Sequence, residues 1–87
     1  MTLNLVLYRQ YFNEILDGTK KTEYRNRSGR YDKKFQKPFD RVKFVNGYGH
    51  HRPWLIADIY RIEMTDDAWL IHLDKIIDSG NLHLLTK

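Results

Sequence analysis

The sequence predicts a single small domain of the mainly β (α+β) class, a β-barrel with one N-terminal helix between its first two strands. Its 87 residues fit one domain over positions 1–87, because a chain this short needs most of its length to bury one core. Several short stretches alternate apolar and polar residues, and a single stretch has helical periodicity. So few short strands favour a closed or nearly closed barrel, since closure removes unpaired strand edges.

Changes in the spacing of apolar residues mark the first strand, the helix and the second strand. Leu3–Tyr8 has leucines at alternate positions, which predicts a strand with one apolar face. Arg9–Leu16 carries apolar residues on one helical stripe, and Gly18 ends the helix because glycine adopts the left-handed cap conformation without steric cost. Lys21–Arg27 alternates again and predicts the second strand.

The remainder reads as a long connection followed by three strands. Ser28–Asp40 has scattered aromatics and no period, so we expect a surface loop pinned by those rings. Strands are predicted over Arg41–Val45, Trp54–Met64 and Trp69–Ile77. The tail, Asp78–Lys87, either adds an edge strand or packs against the barrel.

Composition narrows the class of protein. The hydrophobic fraction of 41% and the twelve aromatic residues argue for a folded chain. Without cysteine there are no disulfides or thiolate metal sites, which favours a reducing compartment such as the cytoplasm. No apolar run approaches the roughly 20 residues that span a bilayer, so we expect no membrane association. The segment Lys20–Lys43 holds ten of the fifteen cations and three carboxylates, which indicates either a polyanion-binding face or a solvated surface.

One face of the second predicted strand is charged. Glu23 and Arg25 are two residues apart, so their side chains share a face at a separation of roughly 7 Å. Lys20 approaches from the preceding turn. A carboxylate flanked by two cations is expected to remain ionised and to anchor them, leaving spare guanidinium donors for a phosphate or a base edge. The alternative is an ordinary surface ion pair without functional meaning.

The segment Gly18-Thr19-Lys20-Lys21-Thr22-Glu23-Tyr24-Arg25 resembles the Gly-x-Lys-x-x-Glu-x-Arg signature of the ASCH (activating signal cointegrator homology) family, which belongs to the PUA-like superfamily. The preceding strand and helix and the later hydrophobic strands also resemble that family, so the likeness covers nearly the whole chain. Four residues carry its specific part.

The resemblance implies a small PUA-like barrel that binds RNA or a nucleotide in a basic cleft framed by Lys20, Glu23 and Arg25. Further cations on or beside the same strand are expected to contact phosphates: Arg27, Arg30, Lys33, Lys34, Arg41 and Lys43. Three tyrosines are candidates for stacking on an unpaired base, although each taken singly is better explained by packing: Tyr24, Tyr31 and Tyr48.

The resemblance also implies an enzymatic alternative. Some family members are small amidohydrolases that act on a modified nucleoside such as N4-acetylcytidine, with a lysine that activates a threonine and a glutamate from a later helix. Here Glu23 occupies the position of that threonine, and the turn Thr65–Asp67 is too short for that helix. If the chain is an enzyme, Lys20 and Glu23 are the candidate catalytic residues, including for RNA cleavage. A third alternative is a protein-interaction adaptor without chemistry.

No metal or cofactor is indicated. His50 and His51 are adjacent, so on a strand their side chains point to opposite sides, and no cysteine is available to complete a ligand set. Trp54 and Trp69 each begin an alternating strand and are predicted to lie in the core rather than around a ligand.

Overall fold

The computed structural model describes residues 1–86 of the chain. It contains five strands and two α-helices followed by a C-terminal 3-10 helix over Leu82–Thr86. Along the chain these are β1 Thr2–Leu7, α1 Arg9–Leu16, β2 Thr22–Asn26, α2 Gly29–Lys34, β3 Arg41–Asn46, β4 Trp54–Met64 and β5 Ala68–Gly80. The prediction of a small, mainly β fold with a helix between the first two strands is confirmed.

The five strands form one curled sheet, a half-barrel with the order β1-β3-β4-β5-β2. The β1–β3 pair is parallel, and the other neighbouring pairs are antiparallel. Strands β1 and β2 are therefore the two edges of the sheet, although they follow each other in sequence. The helix α1 connects these two edges along the chain.

The core lies on the concave side of the sheet and is covered by α1. Phe12 and Ile15 of α1 are buried, which explains the apolar stripe of that helix. The other buried hydrophobic side chains come mainly from alternate strand positions: Leu3, Leu5, Leu7, Phe35, Val42, Phe44, Leu55, Ala57, Trp69, Ile71 and Leu73. Burial of these residues supplies the main driving force for the fold.

The two tryptophans have different environments. Trp69 is buried, as predicted. The prediction that Trp54 lies in the core is wrong: Trp54 is half-buried and precedes the fully buried Leu55, so its side chain lies on the outer face of β4. There its ring contacts Gly80 of β5 and lies 4.8 Å from the Lys43 ammonium. The alternating pattern identified the strand without identifying its inner face.

Strand β4 changes its inner face along its length. In the first half of β4 the inward-facing residues are Leu55 and Ala57, at odd positions, and both are buried. In the second half Ile62, at an even position, pairs with the fully buried Ile71 and so faces the core. The pairing is irregular between Ile56 and Arg61, where Asp58 and Tyr60 of β4 and three residues of β5 have no partner across the pair. Such a bulge shifts the alternation by one position and increases the bend of the strand. The sheet curls at this point.

The expected loop Ser28–Asp40 contains a helix, which corrects the prediction. Ser28 caps α2, because its hydroxyl accepts a hydrogen bond from the Tyr31 backbone N–H at 3.2 Å. The aromatic residues hold the segment in place as expected. Phe35 is buried, stacks on Tyr31 at a centroid distance of 5.6 Å, and packs against Trp69 in a tilted arrangement at 5.2 Å. The six residues of α2 have no buried side chain, so the helix has no periodic apolar pattern by which it could be predicted.

Of the predicted tail, Asp78–Lys87, the described residues 78–86 take the second of the two alternatives, and Lys87 lies outside the described residues. Strand β5 runs to Gly80, three residues beyond its predicted end, and the 3-10 helix then packs Leu82 and Leu85 against the core instead of adding an edge strand. Within residues 1–86, no helix is long and apolar enough to cross a membrane.

Candidate functional site

The three charged residues of the signature meet at the Glu23 carboxylate, with Glu23 and Arg25 on β2 and Lys20 in the turn before it. The Glu23 side chain lies on the inner face and is 7% exposed. Its Oε2 accepts a hydrogen bond from Arg25 Nε at 2.9 Å and lies 2.8 Å from Nη2, while Lys20 Nζ lies 3.6 Å from Oε1. Each carboxylate oxygen therefore faces a cation, and the buried charge is compensated on both sides.

The remaining donors of Arg25 reach other elements. Nη1 donates to the Tyr31 hydroxyl at 3.2 Å, and Nη2 donates to the Val6 backbone carbonyl on β1 at 3.1 Å. All three guanidinium nitrogens thus have a protein acceptor, and most of the five N–H groups of Arg25 are engaged within the protein. In this geometry Arg25 joins the two edges of the sheet.

Lys20 lies among aromatic rings. Its ammonium is 5.4 Å from the centroid of Tyr11 on α1 and 5.2 Å from that of Tyr24 on β2. These distances are within the range of cation–π attraction. Together with Glu23, the two rings hold Lys20 over the end of β2, and the Lys20 side chain is only 17% exposed.

A cavity of about 520 Å³ opens between the two sheet edges. Its walls come from the end of β1, from α1, β2 and α2, and from the turn after β3: Val6, Leu7, Tyr8, Tyr11, Glu23, Tyr24, Arg25, Asn26, Tyr31, Gly47 and Tyr48. Tyr8 and Tyr48 are 81% and 87% exposed. Solvent-exposed aromatic rings around a concave site are a common feature of ligand and nucleic-acid binding surfaces.

The three tyrosines that were candidates for base stacking from the sequence all line this cavity: Tyr24, Tyr31 and Tyr48. Tyr8, Tyr11 and Asn26 also line it and were not identified from the sequence. Tyr8 and Asn26 are the residues at the ends of β1 and β2, so only the proximity of the two strand ends brings them together. Tyr11 belongs to the apolar stripe of α1, a pattern that also fits a core position.

Arg27 forms an ion pair with Asp32 and is not among the residues that line the cavity. Its Nε and Nη2 donate to the two carboxylate oxygens of Asp32 at 2.7 and 2.9 Å, and Nη1 donates to the Thr65 carbonyl at 3.0 Å. Asp32 also accepts a hydrogen bond from the Trp69 indole N–H at 2.7 Å. These donors, Arg27 first, lower the pKa of Asp32 to about 2.

Arg41 and Lys43 lie on the outer face of β3, because they alternate with the buried Val42 and Phe44. Arg41 pairs with Asp58 at 3.4 Å, and the Lys43 ammonium lies over the Trp54 ring. Neither residue lines the cavity. Of the residues that the sequence assigned to the cleft, the structure thus brings together Lys20, Glu23 and Arg25 and separates Arg27, Arg41 and Lys43 from them.

A second polar chain crosses the outer face of the sheet. Thr22 Oγ1 lies 3.2 Å from His72 Nδ1, and His72 Nε2 lies 2.9 Å from Glu63 Oε1. The hydrogen bond with His72, and then the charge of Arg61, hold the pKa of Glu63 below its usual value. The Thr22 hydroxyl is therefore engaged on the face opposite Lys20 and Glu23.

His50 and His51 are exposed in the segment between β3 and β4. Residues 1–86 contain no group of three His, Cys, Asp or Glu side chains close enough together to hold a metal ion.

Comparisons of the chain with protein-family models, with curated proteins and with solved structures gave no match.

Proposed function

We propose that this chain is a small ASCH domain of the PUA-like superfamily and that it binds RNA or a nucleotide in the cavity between β1 and β2. The observation that carries the proposal is the coincidence of two independent features. The signature residues Glu23 and Arg25 form part of the wall of a cavity that exposed tyrosine rings also line. Aromatic rings on which bases stack, beside a positively charged surface that follows the backbone, are what proteins use to bind single-stranded nucleic acid.

The charge distribution supports the same function. Helix α2 carries Arg30, Lys33 and Lys34, and within residues 1–86 none of the three has a carboxylate partner within ion-pair distance. Arg30 lies 5.8 Å from the ring of Tyr31, which lines the cavity. Unpaired cations next to an aromatic cavity favour a ligand that combines bases with phosphates. Such a module would act in the cytoplasm, where its ligand is available.

Binding is favoured over hydrolysis by the surroundings of Lys20. A lysine that activates a hydroxyl needs that hydroxyl within hydrogen-bond distance. Here Lys20 faces Glu23 and two tyrosine rings, and Thr22 is bonded to His72 on the opposite face. The amidohydrolase alternative therefore ranks second, and deacetylation of acetylated nucleosides is the assay to perform if RNA fails to bind.

The test is fluorescence-anisotropy binding of single-stranded and hairpin RNAs at about 50 and about 200 mM salt. The variant is Tyr48→Ala, because Tyr48 is 87% exposed at the cavity and its removal should not disturb the core. The matched control is Tyr60→Ala, since Tyr60 is 68% exposed on β4, away from the cavity wall.

We expect salt-sensitive binding that Tyr48→Ala weakens about tenfold and Tyr60→Ala leaves unchanged, with circular dichroism confirming that both variants fold. Equal weakening by both variants would place the RNA elsewhere, and no binding by the unmodified chain would reject the proposal.

A further inference from the structure

The three cations of α2 that have no carboxylate partner within residues 1–86, Arg30, Lys33 and Lys34, are not among the residues that line the cavity. Glu23 and Arg25 are the charged residues of the cavity wall, and they neutralise each other. Arg25 also has its nitrogens bonded to Tyr31 and Val6. A phosphate inside the cavity would compete with these acceptors for Arg25 and would lie next to the Glu23 carboxylate.

We propose that the cavity takes one uncharged planar ring, an unpaired nucleobase, and that the phosphates attached to it stay outside, along α2. This inference rests on the proposed function and divides the site into a ring pocket and a phosphate track. The ring pocket consists of Tyr8, Tyr24, Tyr48 and Asn26. The phosphate track consists of Arg30, Lys33 and Lys34.

The ring pocket has the chemistry that a base requires. Its volume of about 520 Å³ is within the range of pockets that hold small molecules. Tyr8 and Tyr48 offer rings that are mostly in contact with water, so stacking on a base would remove apolar surface from water at both. Stacking accepts any base, because every base has a π-face.

Asn26 supplies the group that can distinguish one base from another. Asn26 is one of the residues that line the cavity, it is exposed, and no other residue among positions 1–86 is hydrogen-bonded to its side-chain amide. An amide offers donors and an acceptor side by side, the pattern needed to pair with the edge of a base. The neighbouring Glu23 oxygens each face a cation and are less available.

The phosphate track begins at the cavity. Arg30 stacks on Tyr31, whose other contacts include Arg25 in the cavity wall. Arg30, Lys33 and Lys34 are at i, i+3 and i+4 of α2, so they lie on one side of the helix. A ribose bound at the rim would direct its phosphate toward these cations.

The experiment is a protein-observed NMR titration, which detects binding into the millimolar range, with cytidine, uridine, adenosine and guanosine, their 5′-monophosphates, and ribose 5-phosphate. Each is measured at about 50 and about 200 mM salt. The variants are Tyr48→Ala and Asn26→Ala in the ring pocket, Arg30→Ala in the phosphate track, and Tyr60→Ala as the control.

We expect at least one nucleoside to bind with an affinity that salt leaves unchanged, to shift the Asn26 side-chain amide signals, and to lose about tenfold in affinity in Tyr48→Ala. Its monophosphate should bind a few-fold tighter, and this gain alone should disappear in Arg30→Ala or at the higher salt concentration. Ribose 5-phosphate should not bind detectably, and Tyr60→Ala should behave as the unmodified chain. Asn26→Ala should reduce the preference between bases.

Three results would overturn the inference, and they differ in whether the RNA-binding proposal survives. If RNA binds but no nucleoside does, or if ribose 5-phosphate binds as well as the nucleotides and is unaffected by Tyr48→Ala, the cavity is not a base pocket, while the RNA-binding proposal survives. If neither RNA nor any nucleoside binds, both proposals fail.

Discussion

Arg25 on β2 donates a hydrogen bond from Nη2 to the Val6 carbonyl on β1 at 3.1 Å, and so connects the two edges of the half-barrel through a side chain. The same guanidinium holds Glu23 and the Tyr31 hydroxyl. Arg25 thus organises one wall of the cavity and the junction of the sheet edges at the same time.

Replacing Arg25 by alanine should destabilise the protein. The change removes the donors to Val6 and Tyr31 and leaves the buried Glu23 with Lys20 as its remaining cation. Hydrogen bonds to charged groups contribute about 1.5 to 3 kcal/mol each, so we expect a loss of about 2 kcal/mol or more in the free energy of unfolding, measured by urea denaturation.

The matched control is Arg41→Ala, because Arg41 is exposed and forms an ion pair with Asp58 on the outer face. That change should stay within about 0.5 kcal/mol of the unmodified protein. Equal effects of the two changes would show that the Arg25 contact between the sheet edges contributes no more to stability than a surface ion pair does.

Protonation of Asp32 in acid should lower the stability of the protein. The pKa of Asp32 is about 2 in the folded state against a usual 3.8, since Arg27 and Trp69 bond the ionised form. Because the folded pKa lies below the unfolded one, the contribution of Asp32 is complete above the unfolded pKa and is lost as the pH falls from about 4 to about 2. Urea midpoints measured across that interval should fall less steeply with pH in Asp32→Asn than in the unmodified chain.

Asp74→Asn serves as the comparison for Asp32, since Asp74 is an exposed carboxylate of β5. Its acid profile should follow that of the unmodified protein. If Asp32→Asn also leaves the profile unchanged, the Asp32 pair has no stabilising role.

Gly80 should not tolerate a side chain. A Cβ at this position would overlap the indole of Trp54, its pairing partner on β4. Overpacking of this kind costs typically about 1 to 3 kcal/mol, so Gly80→Ala should lower the thermal midpoint and alter the tryptophan fluorescence. Gly29→Ala is the control, because nothing lies within 4 Å of the added Cβ and alanine is the better helix former in α2. A neutral Gly80→Ala would mean that the indole moves aside without cost.

The Thr22–His72 contact should be measurable by a double-mutant cycle. Thr22→Val removes the hydroxyl, while His72→Phe retains a ring that can pack against Tyr60. We expect a coupling of about 0.5 to 1 kcal/mol in favour of the pair, the usual net contribution of a hydrogen bond. A cycle between Thr22→Val and Lys37→Ala should give additive effects. A zero coupling for the first cycle would assign the role of His72 to ring packing alone.

Much of the secondary structure was determined by the order of apolar and polar residues. The bounds predicted for α1 and β4, Arg9–Leu16 and Trp54–Met64, are those of the structure. Periodicity marks such elements because each buries one face. Helix α2 was missed since no periodic apolar face marks it, and its start depends on the single capping hydroxyl of Ser28.

The sequence by itself placed Lys20, Glu23 and Arg25 together, because they are near one another along one strand and its preceding turn. Only the tertiary structure decided what surrounds them. Tyr8 and Tyr48 reach the same cavity because the sheet curls until β1 and β2 meet, and the curl depends on long-range pairing and on the irregular register of β4 and β5. Tertiary structure likewise placed Arg41 and Lys43 on the outer face, since alternation separates the two faces of a strand without stating which one the core will cover.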